Sequence, residues 1–180
     1  CKLMPTLMIE DKIEPHIVNP DARSGVIIGG NFVWAYGGFD SYVVAKETEE
    51  QISAPVTGRM KEEERGMDIN HLDWMYWLDW INNLSQYKYG VQLGTPSAGT
   101  FNLNCAYHGI PCIGYDNVNT QKICHPDLSV DVGDIGKAKQ LMNNLKIDKA
   151  FYKHCSEMSK LKYYECFSEK QYIYKMKKVM

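Results

Sequence analysis

One short stretch limits the folds open to this chain more than any other feature. Tyr89-Gly90-Val91-Gln92-Leu93-Gly94 reads as a buried strand, and the small residues Ser97-Ala98-Gly99-Thr100 follow it as a loop. A helix-length run then continues to His108 and Gly109, and Pro111-Cys112-Ile113-Gly114-Tyr115 reads as the next strand. A two-residue hairpin cannot hold that much chain. A strand, a crossover helix and a second strand form a βαβ unit, which pairs its strands in parallel.

The same alternation runs through most of the sequence. Gly25-Val26-Ile27-Ile28-Gly29-Gly30 is a β-branched run ending in a glycine pair, as a buried parallel strand entering a tight turn would be. A helix follows over 39–47, with Asp40 or Ser41 able to cap it. Further strands are expected over 52–58, where Pro55 weakens the pattern, and over 72–77, 89–94, 111–115 and 128–132. Short helices are expected over 80–84 and 100–108. From Ile135 the chain reads as helical to its end, in three segments broken near Ile147 and Ser168. The fold class is therefore α/β: a doubly wound, mostly parallel sheet of about six strands, flanking helices on both faces and a helical C-terminal tail. Residues 1–24, with Pro5, Pro15 and Pro20, read as a lead-in or linker, and 25–180 as one domain.

Composition excludes several functional classes. The 180 residues carry 20 Lys+Arg against 22 Asp+Glu, which does not suit a dedicated nucleic-acid binder. Mean hydropathy is -0.38, and no apolar run is long enough for a membrane-spanning helix. The first ten residues lack the apolar core of a signal peptide, and none of the six cysteines forms a C-x-x-C pair, so reduced cysteines and a cytoplasmic location are expected. The chain starts at Cys1 rather than Met, which reads as a fragment or the remainder after a cut tag. The lysine-rich tail after Lys149 reads as a solvated helical face, with peripheral membrane or acidic-partner contact as the alternative.

The loop at Ser97, Ala98, Gly99 and Thr100 is the leading candidate for chemistry. Without bulky side chains, backbone N–H groups at a helix start can meet a phosphate, the helix dipole favours its charge, and the two hydroxyls add donors. An ordinary capped turn would use the same residues. Gly29, Gly30 and Asn31 close the first strand and allow close backbone approach to a ligand, although G-x-G-x-x-G is absent. Trp34 and Tyr36 suit either ligand contact or packing. Arg59, after the second strand, can meet a diphosphate as a bidentate fork or belong to the solvated charge run that follows. Trp74, Trp77 and Trp80 have a spacing that suits core packing, with base stacking by one of them as the alternative. His125 lies in a loop before the last strand, with the cleft as one place for it to point. The five histidines show no metal-ligand spacing, and no metal is expected.

Gly99, a helix, and then Ala106-x-x-Gly109-Ile110-Pro111-x-Ile113 resemble the C-terminal, nucleotide-sugar donor-binding domain of GT-B fold glycosyltransferases. The stretch 97–113 is the most specific part, and the rest from Gly25 onward matches in order of elements. The resemblance implies a Rossmann-like half of a two-domain enzyme that transfers a hexose from a nucleoside diphosphate sugar to an unknown acceptor. It also implies a missing N-terminal acceptor domain and no cofactor beyond the sugar nucleotide. Many retaining members carry two glutamates across this loop and helix. Here Pro96 and Asn104 stand in those places; Asn104 keeps the capacity to bond a ribose hydroxyl and Pro96 does not. A sugar-nucleotide epimerase of the same fold and a non-catalytic nucleotide-binding module are the rival readings.

Overall fold

In a computed structural model of the chain, residues 8–13, 19–29, 37–55, 62–95 and 99–178 are described. The order of elements is β1 (Ser24–Ile28), α1 (Gly38–Ala45), β2 (Ile52–Pro55), β3 (Asn70–Leu72), α2 (Trp77–Leu84), β4 (Tyr87–Gln92), α3 (Thr100–His108), β5 (Cys112–Tyr115), α4 (Asn119–Cys124), β6 (Ser129–Val130), α5 (Ile135–Ile147), α6 (Lys149–Cys166) and α7 (Glu169–Lys177). The six strands form one sheet in the order β3-β2-β1-β4-β5-β6, and every pairing is parallel.

Both faces of the sheet are covered, which is why its central strands read as unbroken apolar runs. Val26 and Ile28 of β1 turn to one face, among Val44, Ala45, Leu141 and Leu145 of α1 and α5. Ile27 turns to the other, among Ile81, Leu84, Leu103 and Ala106 of α2 and α3. All three β1 residues are fully buried, each contributing about 1.5–3 kcal/mol of hydrophobic burial.

The helical C-terminal region breaks where the sequence places its breaks, and each new helix starts on its own capping side chain. Asp148 accepts hydrogen bonds from the amides of Ala150 (2.9 Å) and Phe151 (3.0 Å) to open α6. Ser168 accepts from the Gln171 amide (3.4 Å) to open α7. These carboxylate and hydroxyl oxygens satisfy amides that have no partner inside the helix.

Three local expectations are corrected. The third strand is Asn70–Leu72, not 72–77, and Trp77 instead begins α2. The tryptophan-rich run does not fill the core: Trp74 is 69% and Trp77 41% exposed, and only Trp80 packs inward, 6.4 Å from the Phe101 ring. The connection before β6 contains a helix, α4, whose inner face is mostly polar: Thr120 and Gln121 are buried beside Cys124.

Chain ahead of residue 25 also packs. Met8 and Ile13 are buried against the α2–α3–α6 side of the molecule. The Glu10 carboxylate accepts bonds from the Tyr163 hydroxyl (2.6 Å) and the Glu169 amide (2.9 Å). Arg23 donates to the carbonyls of His108 (2.7 Å) and Gly109 (3.3 Å), placing a cation at the negative end of α3.

Candidate functional site

Strand order alone singles out one place. From β1 the chain moves outward through β2 to β3, then returns to the other side of β1 and moves outward through β4, β5 and β6. The connections leaving β1 and β4 therefore part to opposite faces: α1 packs with one buried cluster and α3 with the other. In such sheets the crevice outside the carboxyl ends of the two diverging strands is where ligands bind.

Close packing brings both helix starts to that crevice. Gly37 has a left-handed backbone (φ 69°) and precedes α1. A Cβ there would overlap the Leu93 carbonyl at the end of β4, so only glycine fits on both counts. Ser41, one turn on, donates to the Gly37 carbonyl (2.8 Å) and accepts from the Leu93 amide (2.9 Å). Gly29, just after β1, donates its amide to Val91 (2.9 Å), and a Cβ there would overlap the Phe101 ring of α3.

Gly99 caps α3 in the left-handed region (φ 72°) with no side-chain cap bond. The first intrahelical bond runs from the Leu103 amide to the Gly99 carbonyl, so the amides of Thr100, Phe101 and Asn102 lie ahead of it at the positive end of the helix. Thr100 is exposed there. Packing also demands this glycine. A Cβ would overlap the Thr120 hydroxyl of α4, which donates to the Gly99 carbonyl at 2.9 Å.

Behind this helix start lies a buried polar layer. Asn102 donates to Gln121 (2.7 Å), and Gln121 donates to the carbonyls of Cys112 (2.9 Å) and Leu128 (3.1 Å). His125 is 2% exposed and its Nε2 lies 3.0 Å from the Asn102 carbonyl, so the ring is a tie between α4 and α3 rather than a cleft residue. Burial lowers its pKa to about 4, and the neutral ring donates from Nε2. Asn104 is 4% exposed, and its side-chain oxygen has no partner.

Of the residues singled out from sequence, the structure places Gly29, Gly99, Thr100 and Asn104 on or beside α3 and its contact with β1. Gly30, Asn31, Arg59, Ser97 and Ala98, with Trp34 and Tyr36, lie outside the described residues. Sequence reasoning missed Gly37 as a site glycine and Ser41 as the link between the two loops. It named Trp74 as one of three candidates for base stacking but missed Tyr76, which meets it edge-to-face at 4.6 Å in the connection leaving the carboxyl end of β3, both rings exposed. The signal was present, because an aromatic run without period-two alternation is a poor strand. Tyr115 at the end of β5 donates to Asp40 of α1 (3.2 Å); burial, with the Asp40 charge, pushes its hydroxyl up to about 12.

Among the described residues, no helix is long and apolar enough to cross a membrane, and no group of three or more His, Cys, Asp or Glu side chains could hold a metal ion.

No protein-family model and no curated protein sequence matches the chain. Solved structures do match its fold. An "alpha-glucosyltransferase in complex with UDP and a 13_mer DNA" aligns with a TM-score of 0.72 at 12% identity, over 98% of this chain and 57% of that one. Sucrose-phosphate synthase from Thermosynechococcus elongatus aligns with a TM-score of 0.73 at 13% identity, over 99% and 51%. WaaG, a glycosyltransferase involved in lipopolysaccharide biosynthesis, aligns with a TM-score of 0.71 at 8% identity, over 88% and 50%. The chain thus spans about half the length of the solved structures it matches. Its fold is that of the C-terminal Rossmann-like domain of GT-B glycosyltransferases.

Proposed function

We propose that the chain is the nucleotide-sugar-binding part of a glycosyltransferase that moves a hexose from a nucleoside diphosphate sugar to an acceptor held by a second domain. The observation that carries this reading is the meeting of two glycine-led helix starts, α1 behind Gly37 and α3 behind Gly99, at the strand-order reversal of a fold shared with glycosyltransferases. The diphosphate lies against the amides that open α3, where the helix dipole and the Thr100 hydroxyl meet negative charge. Ser97, Ala98, Gly29, Gly30 and Asn31 line its approach, and Arg59 supplies the cation. Asn104 accepts a hydrogen bond from a ribose hydroxyl through its unpartnered oxygen. Trp74 and Tyr76 offer ring faces to the base.

In transfer, the bond from the anomeric carbon to the diphosphate oxygen breaks and charge builds on the leaving group. Donors fixed beforehand at that position stabilise the transition state more than the ground state. With Pro96 and Asn104 in place of acidic residues, this chain's own contribution is positioning and charge neutralisation.

Calorimetric titration with UDP, ADP and GDP against their nucleosides tests the reading. At least one diphosphate should bind, and more tightly than its nucleoside. Absence of binding by all three diphosphates would overturn it.

A further inference from the structure

A cavity of about 470 Å3 lies at the opposite end of the sheet, where the strands begin. Ser24, Glu50, Gln51, Ser53, Asn70 and Tyr87 line it, at or just before the starts of β1, β2, β3 and β4. It is thus separated from the phosphate loop by the length of the strands. Its size falls within the range of small-molecule sites, roughly 300–1,000 Å3.

The lining has a consistent chemistry. The hydroxyls of Ser24, Ser53 and Tyr87 and the carboxamides of Gln51, Asn70 and Gln86 each donate and accept hydrogen bonds, as sugar hydroxyls do. Ser53 and Asn70 face each other in register, with the carboxamide 3.4 Å from the hydroxyl. Ser24, Gln51 and Asn70 are exposed at the rim, whereas Ser53 and Tyr87 are buried at its floor and wall. Among the described residues no lysine, arginine or histidine lines the cavity. The Glu50 carboxylate is held in place by the Gly25 amide (2.5 Å) and by Lys88 (3.3 Å). A phosphate would find a carboxylate in the lining, with the adjacent cation, Lys88, already paired to it, whereas a neutral polyol finds paired donors and acceptors beside an aromatic wall.

We propose that this cavity binds a neutral saccharide, at a site separate from the nucleotide crevice. The ligand's ring hydroxyls bond Gln51, Ser53 and Asn70, and one C–H face of the sugar packs against Tyr87.

The test is a titration of isotope-labelled protein, followed by amide chemical shifts, with glucose, galactose, mannose, maltose, lactose and cellobiose, and separately with inorganic phosphate and UDP. At least one sugar should give saturable shifts at Gly25, Gln51, Ser53 and Asn70, while phosphate and UDP leave those amides unmoved. Asn70→Ala and Gln51→Ala should each weaken that sugar by about threefold or more, with melting temperatures near that of the parent, since both side chains are exposed. No saturable shift with any sugar, equal shifts with phosphate, or unchanged affinity in both variants overturns the proposal. A failure of UDP to bind anywhere in the same series bears on the nucleotide site alone.

Discussion

The hydroxyl of Ser41, on the first turn of α1, accepts the backbone amide of Leu93 at 2.9 Å, at the end of β4. Through this bond the first turn of α1 and the end of β4 hold a fixed spacing, so a ligand between them would lose less of its binding energy to ordering these two elements.

Ser41 is fully buried, so Ser41→Ala leaves the Leu93 amide short of its partner, while the Gly37 carbonyl keeps the backbone amide of residue 41 (3.0 Å). A loss of about 1–3 kcal/mol in denaturant unfolding is expected. Nucleoside diphosphate affinity should fall with it. A variant as stable as the parent would show that the link is incidental.

Gly99→Ala meets two penalties: a left-handed backbone and overlap with the Thr120 hydroxyl. The backbone part alone costs about 1–2 kcal/mol. Adding Thr120→Ala should relieve the overlap and recover part of the stability, but not the backbone part. If the double variant is no more stable than the single one, the packing account of this glycine fails.

Arg59 separates diphosphate recognition from base recognition. Arg59→Ala should weaken a nucleoside diphosphate by about tenfold or more, as befits a charge-assisted hydrogen bond of about 1.5–3 kcal/mol, and leave the nucleoside nearly unchanged. Equal losses for both ligands in calorimetry would assign the residue to the base or to the fold.

Trp74 is largely exposed, so Trp74→Ala should change stability by no more than about 0.5 kcal/mol. If its ring stacks on the base, nucleoside binding should weaken by about 1–3 kcal/mol. Unchanged nucleoside affinity would leave Trp74 outside the nucleotide site.

His125 makes stability depend on pH. Its pKa is lowered from 6.5 to about 4 in the folded chain by burial, so the unfolded chain binds the extra proton between those values. Its contribution is fully present above about pH 6.5 and is lost as pH falls towards 4, by roughly 3 kcal/mol in all. His125→Gln should flatten the pH dependence of unfolding free energy between pH 5 and pH 7, a range above most carboxylate titrations. A parallel slope in parent and variant would show that the ring is not the titrating group.

How much of this was legible in the sequence differs from element to element. The β1 run from Val26 to Ile28 and the break at Asp148 announce themselves because burial on both faces and helix capping leave strong local signatures. Helix α4 left none. Its inward residues are Thr120, Gln121 and Cys124, and the first two are stabilised by bonds to Gly99, Cys112 and Leu128 that no local pattern encodes. Trp74 and Tyr76 misled in the opposite sense, since apolar rings suggest a core and these stand in solvent. At the site, Gly29 and Gly99 were visible but not their reasons, and Gly37 was not singled out. Gly29, Gly37 and Gly99 each make room for a neighbour distant in sequence, and Gly99 is required by Thr120 whether or not a phosphate is bound.

The register between β1 and β4 carries a kinetic consequence. Val26 lies beside Tyr89 and Ile28 beside Val91, although β2, β3 and α2 intervene along the chain. Closing that loop costs chain entropy before its contacts can offset the cost. The seam that opens the ligand crevice is therefore also a slow seam to assemble: until the two halves of the sheet meet, neither glycine-led helix start has a crevice to face.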